Sequence, residues 1–175
     1  MKLTTTICSC KYFNFIYFKS GTKINSQPWG SLCCGSGHEE LKNVAYSKKV
    51  TLSSEYSTKY AYPGSKAVNG ILTDFAHTGI EKHPWLIIDL GATYEVHEIE
   101  VFARSVCCGN QIHDLDVRVG SDPRNMKLCG HFTGHASNGQ RIAFWCPYNT
   151  KGQYVKLQIM AEQSSEDMHP LATMN

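Results

Sequence analysis

From Lys42 onward the chain reads as short runs in which apolar and polar residues alternate, separated by Gly, Pro, Ser and Asp. Alternation with a period of two puts every second side chain on one face, the mark of a half-buried β-strand. Leu115, Val117 and Val119 alternate with Asp116 and Arg118 and stop at the turn Gly120-Ser121-Asp122-Pro123. Val155, Leu157 and Ile159 follow the same rule, and the stretch from Val96 to Ala103 sets Ile99, Val101 and Ala103 on one face. Trp85-Leu86-Ile87-Ile88-Asp89-Leu90 is nearly continuous in apolar residues and is expected to end as a strand at Gly91. No helical spacing is sustained over a comparable length. The expected fold is therefore all-β: a sandwich whose two sheets share these apolar faces and gather their loops at the ends, where binding residues sit.

Residues 1–41 behave differently. They mix aromatics, Cys8, Cys10, Cys33, Cys34 and the stretch Gly35-Ser36-Gly37 without helical or strand periodicity, so they are left as an unassigned, poorly ordered N-terminal segment. A chain of 175 residues holds one domain with a proper core and no second of ordinary size. That domain is expected over residues 42–175.

Charge removes one class of partner. Lys and Arg number 17 against 15 Asp and Glu, far from the basic excess that phosphate-tracking proteins need, so nucleic acid is not expected. No apolar run approaches the roughly 20 residues of a transmembrane helix. Lys11 interrupts the start of the chain before a secretory apolar region forms, so no clear export signal is read there. Eight cysteines nevertheless favour an oxidising, extracellular setting. Structural zinc is the competing use of thiols, but Cys33-Cys34 and Cys107-Cys108 are adjacent pairs without the Cys-x-x-Cys spacing that faces two thiolates to one metal. The chain holds no Asn-x-Ser/Thr sequon, so N-glycosylation adds nothing to the case for secretion.

Four segments carry a resemblance: Asn43-Val44-Ala45, Lys66-Ala67-Val68-Asn69-Gly70, Pro84-Trp85-Leu86-Ile87-Ile88-Asp89-Leu90-Gly91 and Arg104-Ser105-Val106-Cys107-Cys108-Gly109. With His77 followed, after 26 intervening residues, by Arg104 and then by the cysteine pair, the chain resembles the F-type lectins (fucolectins) of the discoidin-like, galactose-binding-like superfamily. The resemblance implies a jelly-roll β-sandwich that is not an enzyme. It implies a site for L-fucose or a related sugar on fucosylated glycans, with His77 and Arg104 bonding sugar oxygens. Arginine suits this because its fixed fork bonds two oxygens at once. The family pattern also implies a Cys107-Cys108 disulfide whose sulfurs give the sugar's apolar edge a polarizable platform, and a second disulfide between Cys129 and Cys146. Bridges from Cys107 and Cys108 to Cys33 and Cys34, or free thiols, stay open on the residues alone. Innate immune or cell-surface recognition, multiplied by homo-oligomerisation, is the role the resemblance implies.

The chain departs from the family pattern at several positions. Val106 and Gln111 stand where the family has an Asp and a second basic residue. Gln111 still donates and accepts, but losing a charged donor costs about 1–3 kcal/mol, tenfold or more in affinity. The family's structural calcium is carried over only to Asn69, which keeps an oxygen, whereas Ile71 does not. Phe75 replaces a family cysteine two residues before His77, and its partner is missing where Leu171 and Ala172 stand, which points to a shortened last strand. The alternative function is a discoidin-like structural or adhesion module that has lost its sugar. A cysteine hydrolase using His77 and Cys107 is disfavoured, because adjacent cysteines oxidise together and no residue presents itself to orient the histidine.

Overall fold

The computed structural model describes residues 12–20, as backbone, together with 42–56 and 60–160. Cys8, Cys10, Cys33 and Cys34 lie outside the described residues, as do Leu171, Ala172 and the expected shortening of the last strand. In chain order the strands are β1 (Tyr12–Ser20), β2 (Lys42–Asn43), β3 (Lys49–Leu52), β4 (Phe75–His77), β5 (Trp85–Glu95), β6 (Glu98–Phe102), β7 (His113–Asp122), β8 (Asn125–His135), β9 (Arg141–Trp145) and β10 (Lys151–Ile159). Two five-stranded sheets result. One runs β2-β1-β6-β9 with β4 also on β1, the other runs β3-β5-β10-β7-β8, and every pairing is antiparallel.

The apolar faces read from the sequence meet in the middle. Leu86, Ile88 and Leu90 of β5, Ile99 and Val101 of β6, Leu115, Val117 and Val119 of β7, and Val155, Leu157 and Ile159 of β10 are each at most 1% exposed. Burying one such side chain is worth about 1.5–3 kcal/mol relative to leaving it in water, so this layer carries the sandwich. The loops at its two ends remain available for other work.

Two elements differ from the sequence reading. The first is β1, a nine-residue strand in a segment that was expected to hold none. Its backbone pairs with β6 along Asn14–Lys19, and on the other edge with β4 at Tyr12–Asn14 and with β2 at Lys19–Ser20. The run Tyr-Phe-Asn-Phe-Ile-Tyr-Phe is nearly all aromatic or apolar, so it lacks the polar half of the period-two signature and escapes a reading based on alternation. The second is β5, which passes through Gly91 and continues to Glu95. Gly91 takes φ 79°, a left-handed conformation that costs glycine nothing, and its N–H donates to Asp89 Oδ1 at 2.8 Å. Pairing with β10 slips there, between Gly152 and Tyr154, so the expected terminator is a bulge within one bent strand.

A disulfide joins Cys129 of β8 to Cys146, one residue beyond β9. These are the edge strands of opposite sheets, so the bond holds the open side of the sandwich together. It closes a loop of 17 residues, which in the chain-entropy model is worth about 3 kcal/mol. Replacing both cysteines by alanine is expected to lower the melting temperature by about 6–12 °C, reading that loss through the usual size scaling, in calorimetry under non-reducing conditions.

Candidate functional site

β4 delivers His77, and the connection from β6 to β7 delivers Arg104, Cys107, Cys108 and Gln111. On β4, Phe75 and His77 are two residues apart and so share a face. The backbone of His77 is held from both sides, its N–H donating to Tyr62 O at 3.1 Å and its carbonyl accepting from Tyr56 N at 3.2 Å. The ring is 2% exposed and stacks on Tyr56, centroid to centroid 4.2 Å, with Tyr62 at 5.7 Å.

The imidazole has a defined protonation state. Its Nδ1 lies 2.6 Å from the carbonyl oxygen of Thr78, and since a carbonyl only accepts, Nδ1 carries the hydrogen. Burial holds the pKa below the ordinary histidine value; the Thr78 bond works against that shift and the positive charge of Arg104 adds to it. His77 is thus neutral near pH 7, and its Nε2 is an acceptor.

Arg104 is half-buried, and its guanidinium carbon sits 4.1 Å from the centroid of the Phe75 ring. Phe75 in turn stacks on Tyr62 at 4.8 Å. A cation over an aromatic face is worth about 0.5–2 kcal/mol depending on desolvation, so this column aims the arginine without using its donor fork. The carbonyl of Arg104 accepts from Gly139 N at 2.9 Å, and Ala103 N donates to Gln140 O at 2.9 Å. The loop before β9 thereby pins the start of the Arg104 loop.

Cys107 and Cys108 are joined to each other across a Cα separation of 3.8 Å, and Cys108 takes φ 64°. Both are half-buried, whereas Val106 is 78% exposed. Gly109 follows because nothing larger fits: a Cβ there would lie 2.5 Å from the carbonyl oxygen of Ser137. Its N–H donates to Asn138 Oδ1 at 2.8 Å. Gln111, at 9% exposure, closes the short 3-10 turn Gly109–Gln111 with its N–H on Cys108 O at 3.2 Å.

The sequence-predicted residues thus fall into two groups. Arg104, Cys107, Cys108 and Gln111 share one loop, joined to His77 through Phe75 and through the field of Arg104. The arginine and the cysteine pair form the solvent-facing part and His77 the buried part. Asn69 belongs elsewhere, after the turn Gly64–Val68. Sequence reasoning missed Tyr56, Tyr62 and the Ser137–Asn138 backbone, which lie in non-periodic loops, and treated Phe75 only as a lost cysteine. Its position two residues from His77 on a strand was the available signal. A cavity of about 530 Å³ opens at the opposite end of the sandwich, lined by residues including Asp122, Asn125 and Tyr148, and none of the predicted residues reaches it.

Residues 66–157, just over half of the chain, match the NedA-like, galactose-binding domain family of the F5/F8 type C kind. The chain belongs to this family. Within the galactose-binding-like fold it is similar to a fucolectin of Anguilla anguilla, 25% identical over 140 residues that span 73% of this chain and 86% of the relative. A pentraxin fusion protein of Xenopus laevis is 29% identical over 126 residues, 67% of this chain but only 30% of the relative's own length. Among solved structures, the serum f-lectin (fucolectin) of the striped bass, Morone saxatilis, superimposes with a TM-score of 0.61 at 26% identity, covering 69% of this chain and 44% of that one. Among the described residues no helix is long and apolar enough to cross a membrane.

The fit of calcium to this galactose-binding-like domain turns on the loop at Asn69. Its Oδ1 accepts from Ile71 N at 2.9 Å and its Nδ2 donates to Asp74 Oδ2 at 2.8 Å. The ammonium of Lys66 lies 3.9 Å from Asp74, a cation already beside the carboxylate. Among the described residues no group of three or more His, Cys, Asp or Glu is placed to hold a metal. A calcium ion, which takes about six to eight oxygens, would have to draw on backbone carbonyls here and displace Lys66 from Asp74.

The state of His77 has a consequence for stability. A neutral imidazole with a depressed folded-state pKa is protonated first in the unfolded chain, so its contribution is full above about pH 6.5 and is lost as pH falls toward the folded value. Melting curves from pH 7.5 to 5 are expected to show the native protein losing stability on acidification more steeply than His77→Gln, by at most about 1.4 kcal/mol per pH unit for one proton.

Proposed function

We propose that this domain is a carbohydrate-binding module whose Arg104 loop takes a single sugar, L-fucose or a close relative, displayed on a glycan. The observation that carries this reading is the Phe75–Arg104 column, which holds a half-buried guanidinium on the same loop as the Cys107-Cys108 pair. A sugar needs strong donors for its hydroxyl and ring oxygens and an apolar surface for its C–H groups. Arg104 supplies the first and the two sulfurs supply the second, with the buried His77 backing the site from below. Gln111 completes the set with a neutral amide where the family pattern has a cation.

Binding rather than catalysis is supported by the same chemistry. With both cysteines in a disulfide there is no thiolate to attack a substrate, and His77 spends Nδ1 on Thr78. We read the role as extracellular recognition of glycans on cell or microbial surfaces, with homo-oligomers multiplying a modest affinity. The fucolectin likeness and the disulfides support that setting. Calcium is not part of the reading, and millimolar calcium or EDTA is expected to leave the melting temperature unchanged.

A glycan array followed by titration calorimetry tests the sugar site. Saturable binding of fucosylated glycans is expected, with Arg104→Ala weakening it about 30- to 100-fold, the equivalent of a charged hydrogen-bond pair. A folded native protein that binds no glycan at millimolar sugar would mean the module has lost its ligand.

A further inference from the structure

The outer face of the β3-β5-β10-β7-β8 sheet carries a concentration of positive charge that the fold does not need. Lys156 of β10 and Arg118 of β7 are direct cross-strand partners, which puts their Cβ atoms about 4.5–5.5 Å apart. Like charges facing each other across a sheet destabilise it. Arg118 is compensated, since its NH2 group lies 2.7 Å from Asp116 Oδ2, but Asp116 is already shared with His131, whose Nδ1 is 2.8 Å from its other oxygen. Lys156 has no carboxylate partner among the described residues. It reaches instead over the Trp85 ring, Nζ 5.6 Å from the centroid. Burial, and then the neighbouring Arg118, push its ammonium pKa below the usual lysine value, so the group is short of negative charge where it stands.

Beside it the β7–β8 turn contributes a third cation. Arg118, Pro123, Arg124, Met126, Lys156 and Gln158 line one groove of about 240 Å³. That is below the roughly 300–1,000 Å³ of pockets that enclose whole ligands, and suits one compact group with its carrier left outside. Arg118 and Arg124 each keep one carboxylate, Asp116 and Asp122, and the Gln158 amide donates to His83 O, so Lys156 brings the uncompensated charge, the guanidinium groups bring further N–H donors, and Met126 and Pro123 add apolar wall. In a chain whose formal net charge is only +2, this is a local feature and not a generally basic surface.

We propose that this groove is an oxyanion site that takes a sulfate ester carried on a glycan, separate from the Arg104 loop. The ester's oxygens accept from Lys156, Arg118 and Arg124, and its charge relieves the Lys156–Arg118 repulsion. The oxyanion chemistry stands on the groove alone; the glycan carrier rests on the carbohydrate reading above.

The test is titration calorimetry on the full chain at low ionic strength, where exposed charges are least screened. The probes are inorganic sulfate, a heparin-derived sulfated tetrasaccharide, its desulfated form and polyglutamate. The sulfated tetrasaccharide is expected to bind at least tenfold more tightly than the desulfated sugar or polyglutamate, with inorganic sulfate binding weakly and competing. Lys156→Gln is expected to weaken it at least fivefold and to abolish the rise in melting temperature that sulfate gives. Arg104→Ala is expected to leave it unchanged, so failure of the fucose site and failure of this one are read separately. Equal binding of polyglutamate, or unaltered affinity in Lys156→Gln combined with Arg124→Gln, overturns the site. Sulfate binding through Lys156 without tetrasaccharide binding overturns the glycan carrier.

Discussion

The loop end of this sandwich is organised by the need to keep a guanidinium partly out of water. A cation moved from water toward a protein interior loses hydration that must be replaced. At Arg104 part of the replacement is a column of rings, Phe75 beneath the guanidinium and Tyr62 beneath Phe75. Burial holds His77 neutral and the charge of Arg104 adds to that, while the Thr78 carbonyl fixes which ring nitrogen carries the hydrogen. The remainder of the loop is held by its backbone N–H groups: Gly139 N on the carbonyl of Arg104, Gln111 N on the carbonyl of Cys108, and Gly109 N on the side-chain oxygen of Asn138. These bonds fix the path of the loop backbone on either side of the cysteine pair.

The sandwich itself was legible where one face is dry and the other wet. Leu115 to Val119 and Val155 to Ile159 announce their faces by alternation, and the buried positions fall where that alternation puts them. It fails for β1, where almost every residue is apolar, and at Gly91, because glycine marks a strand end and a bulge equally well. The site was legible in a different way. Neither His77 nor Arg104 stands out by composition or spacing, and only a likeness of motif singles them out. What the motif could not convey is the support: Tyr56 and Tyr62 sit in loops with no period, and the approach of Gly109 to Ser137 is a contact between distant segments. At Asn69 the resemblance implied a metal, yet the oxygen that a metal would use accepts from Ile71 N instead. Local hydrogen bonding of an Asn side chain to the backbone two residues on is a common turn device, and it accounts for this asparagine without a metal.

Two departures from the family pattern are best understood together. The pattern expects a carboxylate at position 106 to orient the arginine and a cysteine at position 75. Here position 106 is a valine that is 78% exposed, and a carboxylate there would stand largely in water, where an ion pair is worth little. Position 75 is a phenylalanine directly against the guanidinium. A ring against the face of a guanidinium restrains its tilt without itself accepting a hydrogen bond, whereas a carboxylate restrains it by occupying two N–H groups. Phe75 thus bears on the guanidinium from the buried side, where a group at position 106 would reach it from the solvent side. The pair of substitutions is coherent in physical terms even though each, taken alone, reads as decay of the motif.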